Sequence, residues 1–593
     1  MKDVTTSNRI LPYIPYLFGV GVTLIIVLLI NRDYPLVGHD YRYFIPRLID
    51  TNLHIQRNGL SIQWYTPSFG GGLPAFPNPQ HLEYSLVQLF SFFIGPWAAI
   101  LLTTAAVSFL GFYFFYKFLN ETLVLDWKSS TLGAMFFLGN GFYIEHMIVG
   151  QLGYQLFPLG AVFLYFLFNK ENKPLINSII IALVAAMIIY QAGFYLIIIL
   201  ILSLGVTLPI IHLYRPAFID SKHILLTAIL SFFLCSLLGA AKLYAVFALM
   251  RHFPRQISDS YGVGIIQAFL GLIAQFLGVM LLAPILILTG QNTDLLSGAL
   301  SNITGAVYGI WEIDTGISPV LIAVLLAGVA RFFARLRKRD QRKVDSSHIG
   351  AIIVLLLAVW MIAELTFAKG WIYTLIRDLP VLSSLHVNVR FASVFILPLT
   401  IVGTILINRF FLEHPNFILF SVSSFGTIAA LMSYFLLSRE IHSREFNVFP
   451  NNEMQNIAAS PITQILDIGD WEVFIEHASS YRPYEPLFGY SLETFRPTIH
   501  MGSVFEEDDG YFNMTNPSGL VFPEVNNSYP FERIKAAERE KLDTFIRHKQ
   551  PSWKIPNSQR FLNVLSLATL ILSICMIFIK LIAKAIHKNR ILS

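Results

Sequence analysis

Charge is scarce in this chain. Only 13% of its 593 residues are Asp, Glu, Lys or Arg, against about 25% in soluble domains. By contrast 55% are hydrophobic and 14% aromatic, and mean hydropathy is +0.60. That balance excludes a large soluble enzyme and points to a polytopic membrane protein. Cysteine is scarcer still. The two present, Cys235 and Cys575, both lie in apolar runs, so a disulfide framework, a Cys-based zinc site and a thiol nucleophile are set aside. There is no P-loop, and hence no sign of ATP-driven transport. GxSxG, HExxH and a Gly-rich dinucleotide fingerprint are also absent, and no repeat of domain-building length stands out. The formal charge of +5 is modest. Its basic residues sit between apolar runs, which speaks for membrane topology and not for a nucleic-acid partner.

What is present in abundance is membrane-spanning sequence. About twelve segments qualify, near 11–30, 97–118, 131–149, 153–168, 175–192, 194–213, 223–243, 317–336, 349–367, 391–410, 415–437 and 561–584. The first reads as a signal anchor, because no small-residue cleavage pattern follows it. The basic stretch Arg331 to Lys343, with Lys170, Lys173, Arg215, Lys222 and the tail Lys580 to Arg590, falls on one side if the N-terminus is cytoplasmic. Ile265 to Leu288 is apolar enough to span, but a single crossing there would put Lys338 on the wrong side. A re-entrant hairpin, two short crossings or an interfacial amphipathic helix is therefore expected.

The expected fold class is an all-α polytopic membrane protein of about twelve helices with a small α+β extracytoplasmic domain near the C-terminus. Residues 1–437 would form the membrane domain, with a long first outer loop at 31–96. Residues 438–560 would form the outer domain, and 561–593 the last helix and a cytoplasmic tail. Within the outer domain, Trp471 to Ile475 alternates like a strand, Val504 to Phe512 reads as a hairpin around Asp509-Gly510, and Phe531 to His548 reads as an amphipathic helix. Tyr481, Tyr484, Phe488 and Tyr490 form an aromatic-rich stretch suited to a glycan or to that domain's own core.

Loops as long as the first outer loop are usually functional, and this one opens with His39-Asp40 beside the membrane. Asp40 can deprotonate a hydroxyl acceptor or, more blandly, cap the helix that follows. His39 could orient it or bind phosphate. Glu145-His146, between two apolar runs, could face a cavity and supply a second acid or base or a metal ligand, or could be an interfacial pair satisfied by loop backbone. Arg251 and Arg255 follow the seventh span, and Arg390 opens the tenth. Arginine forks match phosphate oxygens, whereas simple interfacial anchoring is the alternative. Trp311, Glu312 and Asp314 combine a stacking surface with two carboxylates, which could hold sugar hydroxyls or a divalent cation. No cofactor is otherwise indicated.

These residues together resemble a known group. Gly38 to Leu48 (GHDYRYFIPRL), Trp64 to Pro74 (WYTPSFGGGLP), Asn78 to Gln80 (NPQ) and Leu379 to Phe391 (LPVLSSLHVNVRF) are similar to segments of bacterial YfhO-like membrane proteins of the GT-C glycosyltransferase superfamily. The resemblance covers roughly the first 410 residues and is carried mainly by the first outer loop. It implies a sugar donor on a polyprenyl phosphate, a glycan or lipid acceptor, contact with membrane lipids, and a bacterial inner membrane with both termini cytoplasmic. Carried over by position, Asp40 would be the catalytic carboxylate and Arg390 a phosphate ligand. The chain departs from the common pattern of two neighbouring acids in this loop, because His39 precedes Asp40 and the next acids are Asp33, Asp50 and Glu83. Two competing readings stand beside the enzyme. One is a transporter or flippase of lipid-linked sugars, which needs broken or polar helices near the midplane. The other is a non-catalytic scaffold.

Overall fold

A computed structural model describes residues 11–32, 34, 36–37, 40–70, 72–252, 265–290, 309–337, 346–379, 387–413, 417–442, 446–447, 457–458, 460–463, 465–480, 483–485, 507–508, 511–512, 539–551 and 555–592. Among them, nine helices are long and apolar enough to cross a bilayer: Ile14–Asn31, Pro96–Thr122, Trp127–Val149, Phe194–Tyr214, Ser221–Met250, His348–Thr366, Asn388–Leu412, Phe417–Phe435 and Asn557–Ile586. The three other expected spans coincide with shorter apolar helices, Leu152–Phe168, Pro174–Tyr190 and Pro319–Ala334. The protein is a multi-span, mostly helical membrane protein.

Two helices sit at the centre. Trp127–Val149 is 94% buried along its apolar window and Asn388–Leu412 is 83% buried, whereas Asn557–Ile586 is only 17% buried. A span buried that deeply can carry ionisable groups that lipid would not tolerate, and these two carry Glu145, His146 and Arg390. The peripheral helices present large apolar side chains outward, among them Phe232, Phe425 and Leu572. In the last span, Ser566 Oγ accepts from the Ala241 N–H at 3.0 Å and donates to the Leu237 carbonyl at 3.0 Å. That hydroxyl bridges the two ends of one i→i−4 link in the neighbouring helix, a side-chain insertion of the kind that bends helices.

Ile265–Leu288 is broken at Gly278 (φ 49°, ψ −165°). A break in apolar surroundings frees backbone groups, and each needs a partner. The chain at 314–317 supplies them. Thr315 N–H donates to the Gln275 carbonyl at 3.3 Å and Ile317 N–H to the Phe276 carbonyl at 3.1 Å. The Asp314 carboxylate accepts from Val279 N–H at 3.2 Å. The helix is thus discontinuous, and a second piece of chain fills the gap.

The first outer loop is built on the Tyr41–Asn58 helix, a hairpin pairing Tyr65–Thr66 with Leu73–Pro74, and the Leu86–Ile94 helix. Ser85 caps the last of these, its hydroxyl accepting from Gln88 N–H at 3.1 Å. Lys242, from a membrane helix, reaches into the loop and donates to the carbonyls of Phe76, Asn78 and His81 at 2.6, 2.9 and 3.3 Å. Lys242 and Gln191 are buried polar side chains of apolar segments. Lys242 is a staple for the loop, and Gln191 donates to Gln155 at 2.9 Å.

The C-terminal region docks on this loop. Arg47 is buried and donates to Asp470 at 2.6 Å and to the Tyr484 carbonyl at 3.1 Å, with Glu485 at 3.7 Å. Ser480 N–H donates to the Ser68 carbonyl at 3.0 Å, and Ile465–Leu466 pairs in parallel with Ser479–Ser480. Residues Glu507–Asp508 and Tyr511–Phe512 pair antiparallel, as the expected hairpin requires. The strand expected at Trp471 to Ile475 is instead a helical turn, Val473–Glu476. Val473 and Phe474 are both buried, which adjacent residues of a one-faced strand would not be. The expected helix over 531–548 is described only at Arg539–Phe545. Tyr481, Phe488, Tyr490 and Asp509-Gly510 lie outside the described residues.

Two contacts tie distant parts of the chain together. Arg47 joins 41–58 to 470–485, while Lys580 donates to Asn172.

A β-carbon at Gly278 would sit 2.1 Å from Asp314 Oδ1 and 2.6 Å from the Gly316 Cα, in a backbone region that is nearly glycine-only. Gly278→Ala should therefore destabilise the protein by at least about 2 kcal/mol. Thermal unfolding in detergent measures this, and an unchanged Tm would show that the break is not held at Gly278.

Candidate functional site

The site grows from the corner where the Gly141–Val149 helix ends. Asn140 caps that helix through its side chain, which accepts from Tyr143 N–H at 2.9 Å. Gly150 closes it at φ 90°. A β-carbon there would strike Tyr41 at 2.5 Å, so glycine lets the start of the first-loop helix lie against the corner. The Asp40 N–H donates to the Val149 carbonyl at 3.0 Å, and the Tyr41 hydroxyl donates to the Met147 carbonyl at 2.5 Å. Asp40 is thereby fixed by its backbone. It occupies the N-cap position, yet its side chain makes no capping bond. Its Oδ1 instead accepts from the Tyr484 hydroxyl at 3.1 Å. The bland reading of Asp40 as a side-chain cap does not describe what the carboxylate does.

Across from Asp40 lies a buried ion pair. Arg390 Nε donates to Glu312 Oε2 at 2.5 Å, and Nη2 donates to Glu312 Oε1. Nη2 also donates to Gln151 Oε1 at 3.1 Å, and Nη1 to the Tyr154 hydroxyl at 2.8 Å. Gln151 Nε2 returns a bond to Glu312 Oε1 at 2.8 Å. The side chains of Arg390 and Glu312 are 12% and 8% exposed. A guanidinium has five N–H donors, and these four bonds among the described residues leave one N–H on Nη1. Burial alone would raise the Glu312 carboxyl, but the Arg390 charge and its hydrogen bonds outweigh burial and hold it down at about 2. Glu312 is thus ionised at neutral pH and a poor proton acceptor.

His146 completes the cluster. Its ring packs against Phe142 and Tyr154, with centroids 4.2 and 4.4 Å away, and those two rings also touch each other. Nδ1 is 2.7 Å from the Phe142 carbonyl. Nε2 is 3.9 Å from Glu312 Oε2 and has no hydrogen-bond partner among the described residues. The Asp40 charge is felt at both His146 and Tyr154. The structure therefore places His146 beside the Glu312–Arg390 pair, with the Asp40 charge near enough to bear on His146 and Tyr154.

Other candidates fall elsewhere. Glu145 is one position from His146 on the same helix but faces a different group, Asp314 and Tyr434, where its charge is felt. Asp314 accepts from the Tyr434 hydroxyl at 2.6 Å and Gly316 N–H at 2.8 Å, besides capping the broken helix. Glu312 and Asp314 are thus not a carboxylate pair, because the chain turns between them and sends each to a different partner. Trp311 is half-buried in the short Ile310–Ile313 helix. Arg251 is in the last turn of the Ser221–His252 helix. His39 and Arg255 lie outside the described residues. Among the described residues, no group of three or more His, Cys, Asp and Glu side chains is arranged to hold a metal ion.

No family model and no curated protein matches the chain. Among solved structures, a cryo-EM structure of the mycobacterial arabinofuranosyltransferase AftD is similar at 12% identity, with a TM-score of 0.39. The match covers 76% of this chain and 29% of that one, so this chain spans less than a third of that protein's length. A likeness this low adds no weight to any functional reading, and the resemblance of the first outer loop rests on its own residues.

Burial and then the Glu145 charge push the Asp314 carboxyl up to about 7, against about 3.9 for an ordinary Asp. The folded protein then binds this proton more tightly than the unfolded chain does. The resulting stabilisation is complete below the ordinary Asp value and is lost as pH rises through about 7. Asp314→Asn keeps an acceptor for Val279 and Gly316 without the charge. It should flatten the decline of Tm between pH about 4 and about 7; an unaltered slope would mean that Asp314 does not titrate there.

Proposed function

We propose that this protein is a GT-C-like membrane glycosyltransferase that moves a sugar from a polyprenyl phosphate to an extracytoplasmic glycan or lipid acceptor. The observation that carries the reading is the placement of Asp40. Its backbone is pinned at the membrane corner, its carboxylate accepts from the Tyr484 hydroxyl, and Arg390 donates to Tyr154, where the Asp40 charge is felt. In the proposed step the acceptor hydroxyl gives its proton to Asp40 as its oxygen bonds to the anomeric carbon. The bond from that carbon to the phosphate oxygen breaks, and the electron pair leaves with the lipid phosphate. Arg390, aligned by Glu312, offers its remaining N–H and its charge to that phosphate. Trp311, Glu145, Asp314, Arg251 and Arg255 are retained as substrate-side candidates and His39 as a partner of Asp40. A divalent cation is not required by these steps.

A second reading has one observation in its favour. The discontinuous helix at Gly278, bridged by Asp314 to Ile317, is a feature of transporter binding sites. Flipping of a fluorescent polyprenyl-phosphate sugar across proteoliposomes, unaffected by Asp40→Asn, would favour it.

The enzyme reading is tested with purified protein and a panel of polyprenyl-phosphate sugars. Wild type should turn over at least one donor. Asp40→Asn should lower kcat by about 10²- to 10⁴-fold while donor binding persists, and Arg390→Ala by about 10²-fold or more. If no donor turns over and Asp40→Asn fully complements a deletion strain, Asp40 has no part in the chemistry.

A further inference from the structure

Among the described residues, His146 holds the one fully buried nitrogen in this cluster without a partner, and its state can be read from geometry. A backbone carbonyl only accepts, so the 2.7 Å contact with Phe142 requires the hydrogen on Nδ1. In the neutral ring Nε2 then carries a bare lone pair. The Nδ1 contact with the Phe142 carbonyl fixes the ring's orientation, and Phe142 and Tyr154 pack against it. Facing Nε2, 3.9 Å away, is Glu312 Oε2, which is also an acceptor and is kept ionised by Arg390. Two acceptors thus face one another across a gap too long for a hydrogen bond between them. Asp40 adds further negative potential. Burying an acceptor with nothing to accept is costly, and the group that relieves it must donate. Carboxylates and phosphates are therefore excluded at this point of the site, and a hydroxyl fits.

We propose that His146 Nε2 is a specificity-determining acceptor for one hydroxyl of the transferred sugar, beside the hydroxyl-activating Asp40. The proposal rests on the glycosyltransferase reading for the identity of the ligand, and it adds which face of that ligand is read and by what atom. Arg390 meets the anionic end and His146 meets a neutral polyol. The division follows from the chemistry of the two groups, since Arg390 is a cation that donates to Glu312 whereas the bare nitrogen can only accept. A site built around such an acceptor rejects an analogue lacking the hydroxyl, because the nitrogen is then left buried and unpaired.

The test is equilibrium binding to full-length protein in nanodiscs. The probes are a polyprenyl-phosphate hexose, its mono-deoxy analogues with one hydroxyl removed at a time, and the bare polyprenyl phosphate. Wild type should bind one deoxy analogue weaker than the parent by on the order of tenfold. His146→Phe, which keeps the ring, should erase that difference and leave the bare lipid phosphate unaffected. His146→Gln, whose side-chain oxygen can accept, should restore part of it. Equal binding of the parent and every deoxy analogue by wild type overturns this proposal alone. No binding of any polyprenyl phosphate overturns the donor reading and this proposal with it. A loss of Tm in His146→Phe, with discrimination intact, assigns Nε2 to a structural water and also overturns it. An independent check needs no ligand: the ¹⁵N signals of His146, assigned by their loss in His146→Gln, should show Nδ1 protonated and Nε2 bare, and a protonated Nε2 sinks the argument.

Discussion

The buried pair between Arg390 and Glu312 is the interaction on which the polar end of this protein depends. Taking a guanidinium and a carboxylate out of water costs several kcal/mol per ion, and their attraction returns this only when the geometry is good and the remaining donors are satisfied. Here the fork of Arg390 meets both oxygens of Glu312, and Gln151 and Tyr154 take further N–H groups. Such a pair is a weak source of net stability, but removing one partner leaves the other charged and buried. It therefore fixes position. Glu312 belongs to a short loop helix, Arg390 to the start of a central span, and Gln151 and Tyr154 to the corner after the Gly141–Val149 helix. One ion pair registers three separate pieces of chain, and His146 owes its facing acceptor to it.

A second constraint, the break at Gly278, works through backbone hydrogen bonding. Apolar surroundings do not tolerate free N–H and C=O groups, so an interrupted helix must be completed by something. Residues 314–317 complete it and tie the break to the same loop that carries Glu312. Only Ile313 separates Glu312 from Asp314 in sequence, yet they serve the ion pair and the broken helix respectively. The position of the ion pair and the integrity of the broken helix are thus coupled through one turn of chain. Substitutions around Gly278 or Gly316 would be felt at Arg390 without touching it.

Much of this was legible in the sequence, and the rest was hidden for identifiable reasons. Helix positions follow from long apolar runs, the most reliable sequence signal, and each expected span coincides with an apolar helix. The conflict between apolarity and charge at Ile265 to Leu288 pointed to irregular backbone, and a break is found there. Asp40, His146 and Arg390 were candidates because each is ionisable beside a span. Glu312 as the partner of Arg390 was not legible, because they are 78 residues apart and the nearby Asp314 suggested a carboxylate pair instead. The sequence does not show that the chain turns between them. Trp471 to Ile475 misled for another reason. Alternation over so few residues fits a strand or one turn of helix equally, and docking against the first outer loop decided for the helix.

The charges in the cluster also bear on how a phosphate could be handled there. With His146 neutral, Asp40 and Glu312 outweigh Arg390 by one negative charge, which Arg42 beside Tyr484 offsets. A phosphodiester donor brings one more, so the site does not attract its substrate by net charge. Binding must come from directed donors, the open N–H of Arg390 foremost, together with burial of the lipid against the span surfaces. Arg42 is a further cation near Asp40, with its guanidinium carbon 4.8 Å from the centre of the Tyr484 ring, the same tyrosine that bonds Asp40. Under the proposed reaction the leaving phosphate gains one negative charge while Asp40 loses one by accepting the acceptor's proton. The total within the site is unchanged through the step. A reaction that redistributes charge without creating it suits a low-dielectric pocket, where a new uncompensated charge would cost most. This balance requires the proton to stay in the cluster, which places the acceptor hydroxyl against Asp40 where the Tyr484 hydroxyl now sits.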